Sequence, residues 1–215
     1  MVSTIRSLRR LTLLVAVAVA VTSFLVLTVG TASGANPLSC NGLEATIIGT
    51  QGDDDIVGTN GADVIVGLGG DDEISGLRGA DVICGGSGDD TLLGNQGSDT
   101  LFGGPGHDSL RGGTGTDELN GGPGNDLLNG QSGADELNGD AGNDTLDESG
   151  ESGLDTMDGG PGNDTINGGP GDDTLLGGTG NDTIDGGPDS QNNPQGDFCD
   201  AGGQGQDSEV NCELP

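Results

Sequence analysis

The stretch Gly103-Gly104-Pro105-Gly106-His107-Asp108-Ser109-Leu110-Arg111 decides the fold, because it is one copy of a nine-residue unit that dominates the chain. Windows start at Gly49, Gly58, Gly67, Gly76, Gly85, Gly94, Gly103, Gly112, Gly121, Gly130 and Gly139 without a break. Two extra residues follow, Glu148 and Ser149, and then four windows start at Gly150, Gly159, Gly168 and Gly177. In all fifteen windows positions 1 and 4 are Gly, position 6 is Asp, and position 8 is Ile, Leu or Met. Position 2 is Gly in only seven of them.

Each fixed position has a physical role. Gly at positions 1 and 4 permits positive φ or a close approach of neighbouring backbone, so positions 1–6 make a compact turn. Positions 7–9 then read as one short strand with a single aliphatic side chain pointing inward. One such unit buries nothing alone. Stacked as a coil of two windows, or 18 residues, the strands form two parallel sheets around a thin core. The expected fold is all-β, a parallel β-roll, that is, a two-sheet β-solenoid.

Charge supplies the next constraint. All 36 acidic residues lie beyond residue 35, where only Arg78 and Arg111 oppose them, and the chain has no Lys. Such a surface repels nucleic acid and anionic membranes, and the apolar content is too small for a conventional core. In the stacked coil, the position-6 Asp of window n lies about 5 Å from that of window n+2. A row of carboxylates at that spacing calls for a cation between them. Calcium suits it, since it takes six to eight oxygens and combines carboxylates with backbone carbonyls. Cys and His clusters of the kind that hold zinc are absent from the sequence.

The unit quoted above, and Gly159-Gly160-Pro161-Gly162-Asn163-Asp164-Thr165-Ile166-Asn167, resemble the haemolysin-type calcium-binding nonapeptide repeat of RTX proteins. The layout looks most like the small secreted Gram-positive type, with no room for a toxin, protease or lipase domain. The resemblance implies calcium held between successive turns on both edges, with position-6 Asp and turn carbonyls as ligands. The implied metal ligands are Asp54, Asp63, Asp72, Asp81, Asp90, Asp99, Asp108, Asp117, Asp126, Asp135, Asp144, Asp155, Asp164, Asp173 and Asp182. A site needs two windows one coil apart, so about 9–13 Ca2+ are expected. Position 5 varies freely (Asp53, Ala62, His107, Leu154) and is assigned no ligand.

The ends read differently. Arg6, Arg9 and Arg10 precede an apolar run from Leu11 to Val29 and small residues up to Ala35, the layout of a signal peptide at 1–35 cleaved after Ala35; the alternative is a retained membrane anchor. Residues 36–48 form an N-terminal cap, with Thr46-Ile47-Ile48 as a strand but Ala45 at position 6. The two repeat blocks are 49–147 and 150–185, and the C-terminal cap is 186–215. In that cap Asp189 to Gln195 is an irregular polar loop, and Asp197-Phe198-Cys199-Asp200 resembles positions 6–9. One further turn ends with Glu209 at position 8, which stops the apolar stack.

All four Cys lie in the exported part, where disulfides form. Cys199 and Cys212 are expected to close the C-terminal cap, leaving Cys40 and Cys84 as the second pair. On an undeviating coil path those two fall at opposite edges, so that pairing requires the N-terminal segment to fold across the roll. Glu148 and Ser149 read as a loop insertion bulging from a turn. His107 reads as a solvated side chain in a free turn position, with no nucleophile and base to make it catalytic.

The sequence thus points to a secreted calcium-binding structural protein that is not an enzyme, with no nucleic-acid partner and no apparent small-molecule substrate. The alternative is an adhesion or surface-binding module using outward Thr91, Thr100, Thr145, Thr156, Thr165, Thr174 and Thr183.

Overall fold

A computed structural model describes residues 38–150, 152–188, 197–202 and 206–212. The signal-peptide reading of 1–35 and the polar loop at 189–195 lie outside the described residues. Among the described residues there is no helix, and none therefore long and apolar enough to cross a membrane.

The chain opens with an antiparallel hairpin of β1 (Ser39–Cys40) and β2 (Leu43–Glu44). From there successive strands alternate between two nine-stranded sheets. One sheet holds β3 (Ile47–Ile48), β5 (Val64–Gly69), β7 (Val82–Ser87), β9 (Thr100–Phe102), β11 (Glu118–Pro123), β13 (Glu136–Ala141), β15 (Thr156–Asp158), β17 (Thr174–Leu176) and β19 (Phe198–Asp200). The other holds β4 (Asp55–Val57), β6 (Glu73–Arg78), β8 (Thr91–Gln96), β10 (Ser109–Gly115), β12 (Leu127–Gly133), β14 (Thr145–Asp147), β16 (Thr165–Asn167), β18 (Thr183–Asp185) and β20 (Ser208–Val210). All pairings within both sheets are parallel. The expected two-sheet parallel β-roll is the fold observed.

Register follows the repeat. Ile65 pairs with Ile83 and Leu110 with Leu128, one coil on. Position 8 is buried in every window, and from Ile65 to Ile184 no such side chain exceeds 1% exposure. These side chains form one continuous stack from Ile47 to Cys199. Glu209 sits beside Ile184 in register and is exposed, so the apolar stack ends where the sequence placed its end.

Several strands are longer than the expected three residues. β5 to β8 and β10 to β13 run on into the turn, keeping parallel partners such as Leu77 with Asn95. The turn bends at position 2, where Leu68, Leu77, Asn95, Gln131 and Asp140 adopt positive φ although they are not Gly. Position 1 needs Gly for space: a Cβ on Gly94 would stand 2.5 Å from both Asp99 Oδ2 and Gly112 O.

Both disulfides are present, Cys199–Cys212 and Cys40–Cys84, the latter with its Cα atoms 5.8 Å apart. The N-terminal hairpin leaves the coil path, packs β1 against β5 and β7, and brings buried Cys40 to Cys84 on β7.

Candidate metal row on the roll edges

The roll places each position-6 Asp at the end of its turn, immediately before the strand. From Asp63 to Asp182 these side chains are buried, each no more than 6% exposed, and Asp54 is half-buried. Successive residues along one edge are joined: Asp72 N–H donates to Asp90 Oδ1 at 2.8 Å, Asp90 N–H to Asp108 Oδ1 at 2.7 Å, and Asp108 N–H to Asp126 Oδ1 at 2.8 Å. The other edge repeats this, as in Asp81 N–H to Asp99 Oδ1 at 2.8 Å. The sequence did not reveal this bond, which partly offsets the repulsion along the row.

The second oxygen is left over. From Asp72 to Asp182 every position-6 Oδ2 is buried without a hydrogen-bond partner. A buried charged oxygen in that state is costly unless a cation meets it. Backbone carbonyls of the next coil approach the same point, as Gly112 O does beside Asp99 Oδ2 and Gly121 O beside Asp108 Oδ2. Without a cation, burial pushes the carboxylates of Asp108, Asp117, Asp144 and Asp173 up to about 7. Those of Asp81, Asp90, Asp155 and Asp164 rise to about 6 for the same reason, with like-charged neighbours adding to it. Backbone N–H donation offsets only part of that rise. The donor set is all hard oxygen, which fits calcium. Among the described residues no three acidic, Cys or His side chains converge to hold an ion alone, so carbonyls have to complete any site.

The first two turns differ. Thr50 N–H and Oγ1–H both donate to Asp54 Oδ2, at 2.5 and 2.9 Å. Thr59 does the same to Asp63 Oδ2, at 2.6 and 2.8 Å. Thr is β-branched and avoids the positive φ used at position 2 elsewhere, so its N–H folds over its own Asp instead. At the far end, Asp197 and Asp207 join the row: Asp173 N–H donates to Asp197 Oδ1 at 2.8 Å and Asp182 N–H to Asp207 Oδ1 at 3.0 Å. The sequence showed Asp197 at a position-6 place, but irregular spacing kept both out of the ligand set.

Position 5 is not free on one of the edges. A column runs Asp53, Asp71, Asp89, His107, Asn125, Asn143, Asn163, Asn181, each accepting the N–H of the next coil's residue. His107 belongs to it, with Nδ1 accepting from Asn125 N–H at 2.9 Å. His107 is exposed, as expected, but its turn position is not free: it is a rung of a ladder. Reading windows at a spacing of 18 rather than nine exposes the signal, because all eight residues carry an acceptor.

The insertion also departs from expectation. Glu148 is fully buried rather than bulging. Its N–H donates to Asn167 O, as a position-1 residue does, and its carboxylate accepts from Gly130 N–H and from Gln131 N–H, the latter at 2.9 Å. A Cβ on Gly150 would meet nothing within 4 Å, whereas Ser149, though exposed, keeps its Cα against Gly169 of the next coil. Outward threonines divide between the sheets: Thr91, Thr145, Thr165 and Thr183 on one, Thr100, Thr156 and Thr174 on the other.

The class so defined is a parallel β-roll whose edges carry rows of buried, half-satisfied carboxylates. A family model for the RTX calcium-binding nonapeptide repeat matches residues 48–83, 84–119, 111–146, 149–184 and 167–190, well over half of the chain. The chain belongs to this family, and calcium is the ion its repeats bind. No curated protein matches it.

Proposed function

We propose that this chain is a secreted, non-catalytic structural protein whose roll forms as it binds many calcium ions. The observation that carries the reading is the buried row of position-6 carboxylates from Asp72 to Asp182, each with an unpartnered Oδ2. These Asp side chains and turn carbonyls of adjacent coils are the ligands, with Asp54 and Asp63 at the Thr-closed end of the row. Calcium supplies charge neutralisation and no reaction step. Two disulfides fit an oxidising, extracellular setting. The test is metal counting on dialysed protein together with circular dichroism in calcium and in chelator. The expected outcome is about 9–13 Ca2+ per chain and loss of β-structure in chelator. One or two ions, or identical spectra, overturn the reading.

A further inference from the structure

Glu148 is the one Glu among the described residues that is buried, at 0% exposure. It stands where regular windows have position-1 Gly. In a regular coil the N–H groups of positions 1 and 2 donate to backbone carbonyls of the next coil, as Gly103 does to Asn120 O and Gly104 to Gly121 O. At Gly130 and Gln131 the Glu148 carboxylate takes both bonds instead. The insertion has replaced two neutral carbonyl acceptors by one formal negative charge.

That charge enters a place already short of positive partners. Asp135 and Asp155 flank it on the same edge, joined by Asp135 N–H to Asp155 Oδ1 at 2.8 Å. Both are at least nine-tenths buried, and the Oδ2 of each is unpartnered. Asp135 Oδ2 points at Gly130, 2.5 Å from where a Cβ would stand, and it is the Gly130 N–H that Glu148 holds. Burial pushes the Glu148 carboxyl up to about 8, and the charges of Asp155 and Asp135 raise it further against the Gly130 and Gln131 hydrogen bonds. Four backbone N–H donors, two on Glu148 and one each on Asp135 and Asp155, leave both Oδ2 atoms unmet and do not compensate three buried carboxylates.

Resting on the calcium reading above, we propose that Glu148 is a further metal-ligating residue, and that the coil step from Asp135 to Asp155 is a distinct calcium site of higher negative charge than the regular ones. Calcium affinity rises with the count of charged ligands, so this site fills first and sits inside the row rather than at either end.

The test compares Glu148→Gln with Glu44→Gln, an exposed control in the N-terminal hairpin carrying the same charge change. Calcium retained per chain is measured across a series of calcium buffers. The control and the parent are expected to keep one ion at the lowest free calcium at which any is held. Glu148→Gln is expected to lose that ion until free calcium is at least about tenfold higher, with later ions unchanged. A second variant, Glu148→Gly with Ser149 and Gly150 deleted, restores the regular period and guards against misfolding of the first. It is expected to fold in calcium and to lack the first-filling ion. If both folded variants match the control, Glu148 is only a backbone substitute and the proposal is overturned. If parent and control bind no calcium at all, the underlying reading fails instead.

Discussion

Leu119 shows what a single residue contributes. Its side chain is fully buried and stacked in register between Leu101 and Leu137. Asn120, next along, faces outward and is half-buried. Leu119→Asp puts an unpaired charge into a dry stack, at a cost of several kcal/mol, and is expected to abolish the calcium-dependent β-signal. Asn120→Asp is expected to leave it nearly unchanged. Equal loss at both positions, read by circular dichroism in calcium, would show the register to be wrong. Outside the core, Glu118 lies directly opposite Glu136 in register. Like charges so placed are destabilising, and the next rung holds Thr156. Glu136→Thr is therefore expected to stabilise the calcium-loaded roll by about 0.2–1 kcal/mol, measured by thermal melting at fixed calcium.

At the scale of the turn and strand, the difference between the first two windows and the rest is one of backbone conformation. Thr59 closes its turn over Asp63 Oδ2, whereas Leu68, with positive φ, leaves Asp72 Oδ2 open. Thr59→Gly removes both the hydroxyl bond and the barrier to positive φ. It is expected to strengthen calcium binding in the first coils, seen as added high-affinity heat in titration calorimetry; an unchanged isotherm counts against the role assigned to the Thr. The sheets and the inward stack could be read from the sequence because strand side chains alternate and Leu110, Leu128 and their counterparts recur at fixed spacing. The row of position-6 Asp was legible for the same reason. Glu148 was not, since alignment to Gly150 makes it look surplus, and only the path of the backbone shows which residue enters the stack. The Cys40–Cys84 pairing, and with it the need for the N-terminal segment to leave the coil, could be read from the sequence; the β1–β2 hairpin that makes the departure could not, because the period does not describe it.

Over the whole molecule, folding brings buried carboxylates into rows, and two kinds of positive partner can neutralise them, protons and calcium. In the metal-free roll the carboxylates of Asp108, Asp117, Asp144 and Asp173 lie at about 7 and those of Asp81, Asp90, Asp155 and Asp164 at about 6, against 3.8 ordinarily. The folded chain thus holds protons more tightly than the unfolded one. Stability without metal is fully present below the ordinary carboxylate range and is lost as pH rises through about 6 to 7. At neutral pH the carboxylates at about 6 are mostly ionised and those at about 7 partly so, the metal-free rows repel, and one inward aliphatic per nine ordered residues is too little to hold them together. With calcium the dependence reverses, because the ion needs ionised ligands and competes with protons for the same oxygens. Two outcomes are expected. In chelator, β-signal should grow as pH falls from about 8 to about 5. The free calcium needed for half-folding should rise over the same interval. Monovalent salt screens the repulsion but offers no ligand geometry, so it should not replace either partner. A chelated chain with the same spectrum at both pH values, together with a pH-independent calcium midpoint, would show that these carboxylates are not what calcium neutralises. The midpoint is the more demanding of the two measurements, because acid alone can compact an acidic chain by reducing its net charge, whereas only direct competition at the row moves the calcium requirement in step with protonation.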